Sequence, residues 1–462
     1  MNAIILTALW GVVMMFGGVF FKKRTTPKYW AIAGIIIILI ANILEFFGHQ
    51  FFNIDTRGML KFDSFGLHFN TIVFVCTLLF FLLNGKDFEK VGPHVSEYFS
   101  LMFFILCGSS ILSSFNTLLL LFLGIEIISI PSYILTGSDK HNLKGNEASL
   151  KYLLMGAFST GLMLMGIALI YGGNDLGSFY IDAIDLGKGN LPVLIAAGLV
   201  LLMVAMSFKV SAAPFHFWAP DVYDGAPAVV SSFMMTVVKI AGFIGFIRLF
   251  KDSFGTMQHQ WQMLIVVITA ATLLIGNITA VFQRSVKRML AYSSISHAGF
   301  MMFALFALND TAKEGLLLYM AAYSLATIGI FAVIIKMTDY SIEGFNGLGK
   351  RQPLLAICTT IFLLSLTGIP LTAGFTAKFY VLMAAVKDGH QIWLVILGVI
   401  CAAIGAVYYF RVIQAIYFKD PVQGVNDDIK VTPAFKWVLL VTVALIIILG
   451  TVPGLLIDWI YY

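Results

Sequence analysis

Three lysines stand where an ammonium group is hardest to keep. Lys209, Lys239 and Lys378 each lie deep in an apolar stretch. No other charge falls between Gly189 and Lys209, Lys239 is the one charge in 226–247, and Lys378 is the one charge in 353–386. A lysine at the centre of a bilayer costs roughly 2.5–3.5 kcal/mol on insertion scales, so it marks a functional site by default. Its amine is also the cation most readily neutralised by burial. A row of titratable amines inside an apolar chain is chemistry suited to carrying protons.

Glu126 supplies the counter-charge, in the run Gly124-Ile-Glu-Ile-Ile-Ser129. An isolated carboxylate there would take a proton, and a nearby lysine would keep it ionised. Lys209 is its natural partner by depth. The alternative is an ion pair that only fixes helix packing. Ser232 and Thr236 precede Lys239 by two turns and one, and those hydroxyls can relay or order water; Thr372 and Thr376 lie beside Lys378, with a helix break just before it. His297 lies in Ser293-Ser-Ile-Ser-His297-Ala-Gly299. It titrates near neutrality and can shuttle a proton, or it is a packing residue with satisfied hydrogen bonds. His216, just past Pro214, offers the same choice. Lys151 either feeds protons inward or anchors its span at the lysine-rich face. Arg411 is expected to snorkel to an interface, and Glu45 to anchor span 2 or meet another subunit.

These residues need helices in a membrane to hold them. Of 462 residues, 60% are hydrophobic and 11% are charged, which no soluble domain of this length matches. No polar segment is long enough for a separate aqueous domain, so residues 1–462 read as one integral membrane domain. The first apolar run is too long for a cleaved signal peptide, and its positive charges follow it. The cysteines (Cys76, Cys107, Cys358, Cys401) all fall in apolar spans and read as small buried hydrophobes. No phosphate-binding glycine loop, metal cluster or nucleic-acid-binding pattern is present, so no cofactor-binding or metal-ligating residues are assigned.

About twenty apolar residues cross the hydrocarbon core. That rule gives an all-α polytopic membrane protein of about 14 spans, near 3–21, 30–48, 65–84, 96–114, 116–136, 147–171, 191–213, 226–249, 260–282, 287–307, 314–337, 353–384, 391–418 and 433–458. Alternate loops differ in basic charge. One set holds Lys22, Lys23, Arg24, Lys140, Lys144, Arg284, Lys287, Arg288, Lys350, Lys430 and others; the other set is sparser, with Arg57, Lys61, Lys188, Arg248 and Lys251 among its few. The richer side marks the cytoplasm, which puts both termini on the outer, periplasmic side. Trp10, Trp30, Trp261, Trp437 and Trp459 are expected at the interfaces.

Spans 7 and 12 are interrupted, at Pro214 and at Thr367-Gly368-Ile369-Pro370. Proline removes a donor and clashes with the preceding turn. Paired broken helices suggest inverted repeats. Spans 4–8 (residues 96–249) and 9–13 (residues 260–418) would be two five-helix halves of opposite orientation.

Several runs together carry a family resemblance. Phe208-Lys209-Val-Ser-Ala-Ala-Pro214-Phe-His-Phe-Trp218-Ala-Pro220-Asp221-Val-Tyr223-Asp-Gly225-Ala-Pro227 resembles the signature of the antiporter-like subunits of respiratory complex I. Glu147-Ala-Ser-Leu-Lys151-Tyr152, Lys287 to Gly299, and Thr367 to Lys378 match as well, and a lysine at 378 favours the subunit N branch of that family. The resemblance covers essentially the whole chain. It implies a proton-translocating subunit of NADH:quinone oxidoreductase, a multi-pass protein of the bacterial inner membrane. Glu126 and Lys209 would be the charge pair of the first half-channel, Lys239 the connecting lysine, and His297 and Lys378 the path into the second; Lys151 would match the lysine of span 6. NADH, FMN, iron–sulfur clusters and quinone would sit on other subunits of the complex. Partners would be the remaining membrane-arm and peripheral-arm subunits and the lipid bilayer, with no nucleic acid. A subunit of a cation/proton antiporter or of an energy-converting hydrogenase would use the same fold and lysines. A purely structural scaffold is disfavoured by the buried charges.

Overall fold

The computed structural model describes every residue except 22, 175–176, 185–191, 423–428, 430 and 462, and omits the side chains of 460 and 461. Lys22, Lys188 and Lys430 therefore lie outside the described residues. The chain is helical throughout, and among the described residues the only extended pairing is three isolated β-bridges.

The helices are α1 (Asn2–Phe20), α2 (Thr26–Phe46), α3 (Ser64–Asn84), α4 (Val95–Leu112), α5 (Leu118–Thr136), α6 (Leu143–Gly173), α7 (Val193–Lys209), α8 (Trp218–Gly225), α9 (Ala228–Phe233) and α10 (Lys239–Phe254). They continue with α11 (Gln258–Val281), α12 (Val286–Ala307), α13 (Asp310–Ile334), α14 (Leu348–Arg351), α15 (Pro353–Thr367), α16 (Ala373–Asp388), α17 (Ile392–Phe418), α18 (Pro433–Thr451) and α19 (Gly454–Ile457). Every span expected from hydropathy coincides with a helix or a pair of helices. Eleven helical runs are long and apolar enough to cross a bilayer, and the run 228–281 contains two expected spans joined by a short turn.

Side-chain caps set where several helices begin. Asp63 accepts from Gly66 N at 2.7 Å, Asn142 from Lys144 N at 3.1 Å and Asn309 from Ala312 N at 2.9 Å. Each satisfies an orphan donor of a first turn. The tight junction expected near Ser114–Asn116 is real: α4 ends at Leu112 and Thr117 caps α5.

Burial separates core from rim. All of the apolar window of α13 and 94% of that of α12 are buried, against 28% for α1 and α18. The helix bearing His297 is thus central, packed against α13, α16 and α11. The cysteines are free and buried, as expected.

Two basic residues counted as loop charges prove buried. Arg248 is 3% exposed. It donates from Nε to Phe115 O, from Nη1 to Ser113 O and Asp63 Oδ2, and from Nη2 to Lys61 O, all at 2.9–3.1 Å. Lys287 is 4% exposed and donates to the carbonyls of Asp224 and Ala226, at the end of α8. Helix C-termini leave such carbonyls free, and a lysine is a fitting cap. Trp261 also departs from its expected interface position: it is buried and donates to Phe254 O at 2.9 Å. Arg411 is exposed, with Nη1 on Val281 O. Glu45 is buried and accepts from the Met1 amino group and from Asn2 N.

Candidate proton-transfer site

Both interrupted spans are broken in the structure. The first stops at Lys209, the last residue of α7, and resumes at α8. The left-handed Ser211 and the donor-less Pro214 turn the chain between them. Trp218 Nε1 takes up Phe208 O at 3.0 Å. The second stops at Thr367, where Gly368 adopts φ +89°, and resumes at α16. Freed carbonyls inside a membrane protein need internal partners. Lys378 is that partner: its Nζ donates to Leu366 O and Thr367 O, both at 2.8 Å. The two broken helices therefore use their lysines differently. Lys209 ends its own half-helix, whereas Lys378 reaches back from the second half-helix to cap the first.

Thr372 and Thr376 do not serve Lys378. Their hydroxyls donate to Ile369 O and Gly450 O. At Gly368 an added Cβ would lie 3.0 Å from Lys378 Cδ, in a backbone region that side chains rarely adopt. Gly368→Ala is expected to destabilise the chain by about 1–3 kcal/mol, read as a lower midpoint of thermal denaturation.

Glu126 and Lys209 are brought together, but not as a direct pair. No ion pair within 4.0 Å joins them. Instead Thr160 of α6 stands between: its Oγ1 donates to Glu126 Oε1 at 2.7 Å and accepts from Lys209 Nζ at 3.5 Å. The ammonium also donates to Ser129 Oγ at 2.9 Å and Tyr133 Oη at 3.5 Å. Both charged residues are half-buried. Ser129 and Tyr133 follow Glu126 on one face of α5, so this part of the setting is readable from spacing. Thr160 is not. A Cβ at Gly156 would sit 2.1 Å from Tyr133 Oη, so glycine there lets the tyrosine reach α6.

Rings separate Lys209 from Lys239. Tyr133 packs edge-on against Tyr152, which stacks on Trp218, which meets Tyr223; Lys239 Nζ lies 6.0 Å from the Tyr223 ring. Lys239 directly follows a π-helical turn, Met234–Val238. Such turns recur at functional positions in helices. The lysine is 1% exposed, and its amine donates to Ser294 O at 2.7 Å and Ser294 Oγ at 3.0 Å. Thr236, expected to serve it, is bonded to Ser232 O on its own helix.

From Lys239 onward, polar groups follow closely. Ser293, Ser294 and His297 lie within one turn of α12. Ser293 Oγ bonds Tyr409 Oη, and Tyr409 Oη lies 3.1 Å from His297 Nε2. His297 Nδ1 lies 2.7 Å from Tyr319 Oη. Beyond His297 a cavity of about 10 Å³ is lined by Tyr319, Tyr323, Ser365 and Leu366. That is the lower limit of the room one water needs; its wall is mostly apolar, and the Tyr323 hydroxyl there has no protein partner among the described residues. Leu366 is the residue whose carbonyl holds Lys378. Tyr319 and Tyr409 escaped the sequence reading because buried aromatics pass for packing.

Lys151 and His216 stand apart. Lys151 pairs with Glu147 at 2.7 Å and Asp221 at 3.1 Å, and Asp221 also pairs with Arg288 at 3.0 Å. This cluster lines a cavity of about 190 Å³. A larger one of about 600 Å³ shares Lys144, Asp224 and Gly225 with it and has Lys287 in its wall. His216 is buried beside Phe217 at the first break and touches none of the other candidates. Among the described residues no cluster of metal-ligating side chains occurs.

The chain is similar in sequence and fold to known proteins. A family model described as NADH:quinone oxidoreductase/Mrp antiporter, transmembrane, matches residues 115–405. The chain is 35% identical to NADH-quinone oxidoreductase subunit N 1 of Solibacter usitatus (strain Ellin6076), over 99% of its own length and 94% of that protein. A chain of respiratory complex I from Thermus thermophilus with bound aureothin superposes with TM-score 0.83 at 29% identity, covering 99% of this chain and 98% of that one. A chain of the membrane-bound sulfane sulfur reductase, an archaeal respiratory membrane complex, gives TM-score 0.86 at 26% identity, covering 99% and 95%. The signature around the broken helices and the whole-length identity agree: the chain belongs to the NADH:quinone oxidoreductase/Mrp antiporter transmembrane family, in its NADH-quinone oxidoreductase subunit N branch.

Proposed function

We propose that this chain is the proton-translocating subunit N of a bacterial complex I, one membrane-arm subunit among others in the inner membrane. The observation that carries the reading is a pair of hydrogen-bonded groups, Lys239–Ser294 and Ser293–Tyr409–His297, set on neighbouring residues of α12 and leading to the small cavity lined by His297 and Leu366. Buried donors and acceptors at these distances are what proton transfer needs. NADH, FMN, iron–sulfur clusters and quinone belong, in this reading, to other subunits.

The membrane topology is part of the proposal. Ten single apolar runs, the double run 228–281 and the two broken spans amount to fourteen crossings. Residues 96–249 and 260–418 then form two five-helix halves of opposite orientation, with both termini on the outer side. The lysine-rich face is cytoplasmic, and the cavity of about 600 Å³ opens there as the place of proton uptake. Its wall includes Ala228 and Val229; Ser232, one turn further along α9, has a buried hydroxyl without a protein partner and points the way toward Lys239.

Glu126 and Lys209 act as the switch. An opposite charge favours the protonated amine. Drawing the two together holds a proton on Lys209, and parting them releases it. Thr160 sets their spacing. Lys151, in its ion-pair cluster, orders the uptake side. Quinone reduction elsewhere in the assembly drives the rearrangement. Moving one proton against 100 mV takes about 2.3 kcal/mol, within reach of remaking one charge-assisted contact at about 1.5–3 kcal/mol.

Glu126→Gln and Thr160→Val in the assembled enzyme are each expected to lower proton translocation per NADH oxidised about tenfold, while Thr160→Ser keeps it. Normal pumping and normal NADH:quinone turnover in both variants would sink the proposal. The family model spans antiporters as well. Sodium/proton exchange by the purified chain in vesicles, with no redox partner, would favour that reading instead.

A further inference from the structure

A cleft of about 450 Å³ lies between α2 and α18, over the end of α3; it shares Asp87 and Lys90 with the cavity of about 600 Å³, and none of its residues lies in the series from Lys239 to Lys378. Its lining is two-sided. Lys28, Lys86, Lys90 and Lys336 occupy one end, facing Asp87 and Glu89; four ammonium groups against two carboxylates leave an excess of two positive charges. Asp87 is already engaged by Lys336 and by Lys90. Lys28 spends one donor on Leu82 O at 3.2 Å, leaving two of its three, and Lys86 is exposed. The other wall is apolar, with Ile32 of α2 and Val438 of α18. Tyr29 and Trp30, both exposed, stand at the same level, as aromatic residues do at a membrane interface.

We infer that this cleft binds an anionic phospholipid, its phosphate on Lys28 and Lys86 and an acyl chain along Ile32 and Val438. Basic pockets between membrane helices select such headgroups. A soluble anion would leave the apolar wall without a partner. A zwitterionic lipid would bring a second cation beside the lysines.

The test labels the assembled, purified complex with phosphatidylglycerol carrying a photoactivatable acyl chain and maps the cross-linked peptides. Labelling at Ile32 and Val438 is expected, at least several-fold above that by the phosphatidylcholine analogue, and displaced by unlabelled phosphatidylglycerol but not by inorganic phosphate. The double variant Lys28→Gln/Lys86→Gln is expected to reduce it about thirtyfold, each lysine contributing about fivefold. Lys86→Gln alone changes an exposed residue without a packing role and is expected to reduce it about fivefold, so the idea stays testable if the double variant fails to assemble. Equal labelling by both analogues, displacement by inorganic phosphate, unchanged labelling in Lys86→Gln, or no label in the cleft because another subunit fills it would each overturn the assignment.

Discussion

Lys239→Met is expected to reduce NADH-driven proton translocation to background while leaving the chain folded. The amine is 1% exposed and has Ser294 O and Oγ as its partners. Among the described residues no carboxylate pairs with it, so removing the charge strands no opposite charge in the interior. Replacing buried ionic groups by apolar ones of similar volume is often neutral or stabilising by about 1–4 kcal/mol. Methionine has nearly the length of lysine and adapts to irregular space. Stability should therefore hold or rise as function is lost, a divergence that a packing role for Lys239 would not produce. Quenching of a pH-sensitive dye in proteoliposomes of the assembled enzyme, beside thermal melting of the same preparation, reads both. Undiminished pumping would remove Lys239 from the path.

Arg248→Met is expected to have the opposite character. Here the charge has a carboxylate, Asp63, and three backbone carbonyls on its fork. Taking away one member of such a set costs about 3–5 kcal/mol. Asp63 also caps α3 through Gly66 N, so the loss spreads to the start of a core helix. The subunit should be depleted from membranes at growth temperature, with its melting midpoint lowered. Arg248→Lys should be intermediate, because an ammonium is a compact charge without the planar fork. If Arg248→Met accumulates and melts like the parent, the staple is not load-sharing in the way its geometry implies.

The contrast between these two residues shows what the sequence could tell. Hydropathy placed the long helices, because a span must be long and apolar whatever it packs against, but not short ones such as α8 and α14. It could not show that Arg248 and Lys287 are buried as well, since burial of a basic residue near a span end depends on which loops fold over it. The candidate lysines, Glu126 and His297 were legible because charge in an apolar run is costly. Their contacts were less so. Ser129 and Tyr133 share a face with Glu126 and could be found by counting turns, but Thr160 comes from a different helix, and its bridging hydroxyl emerges only from packing. The threonine hydroxyls nearest in sequence to Lys239 and Lys378 donate to backbone carbonyls: threonine on a helix bonds readily to its own backbone, as Thr236 does. Lys151, matched by motif to a channel residue, sits in an ion-pair cluster at the rim of a cavity.

If Lys378 carries protons as proposed, its grip on Leu366 O and Thr367 O makes one side chain both a charge carrier and a clasp across the break between α15 and α16. A clasp of this kind obeys reciprocity: if tilting α16 away from α15 alters how firmly the amine holds its proton, then gaining or losing that proton must alter the stiffness of the hinge by the same free energy. Such a joint would convert in both directions, mechanical to electrical and back. A load applied from neighbouring helices and a voltage applied across the membrane would be felt at the same two carbonyls.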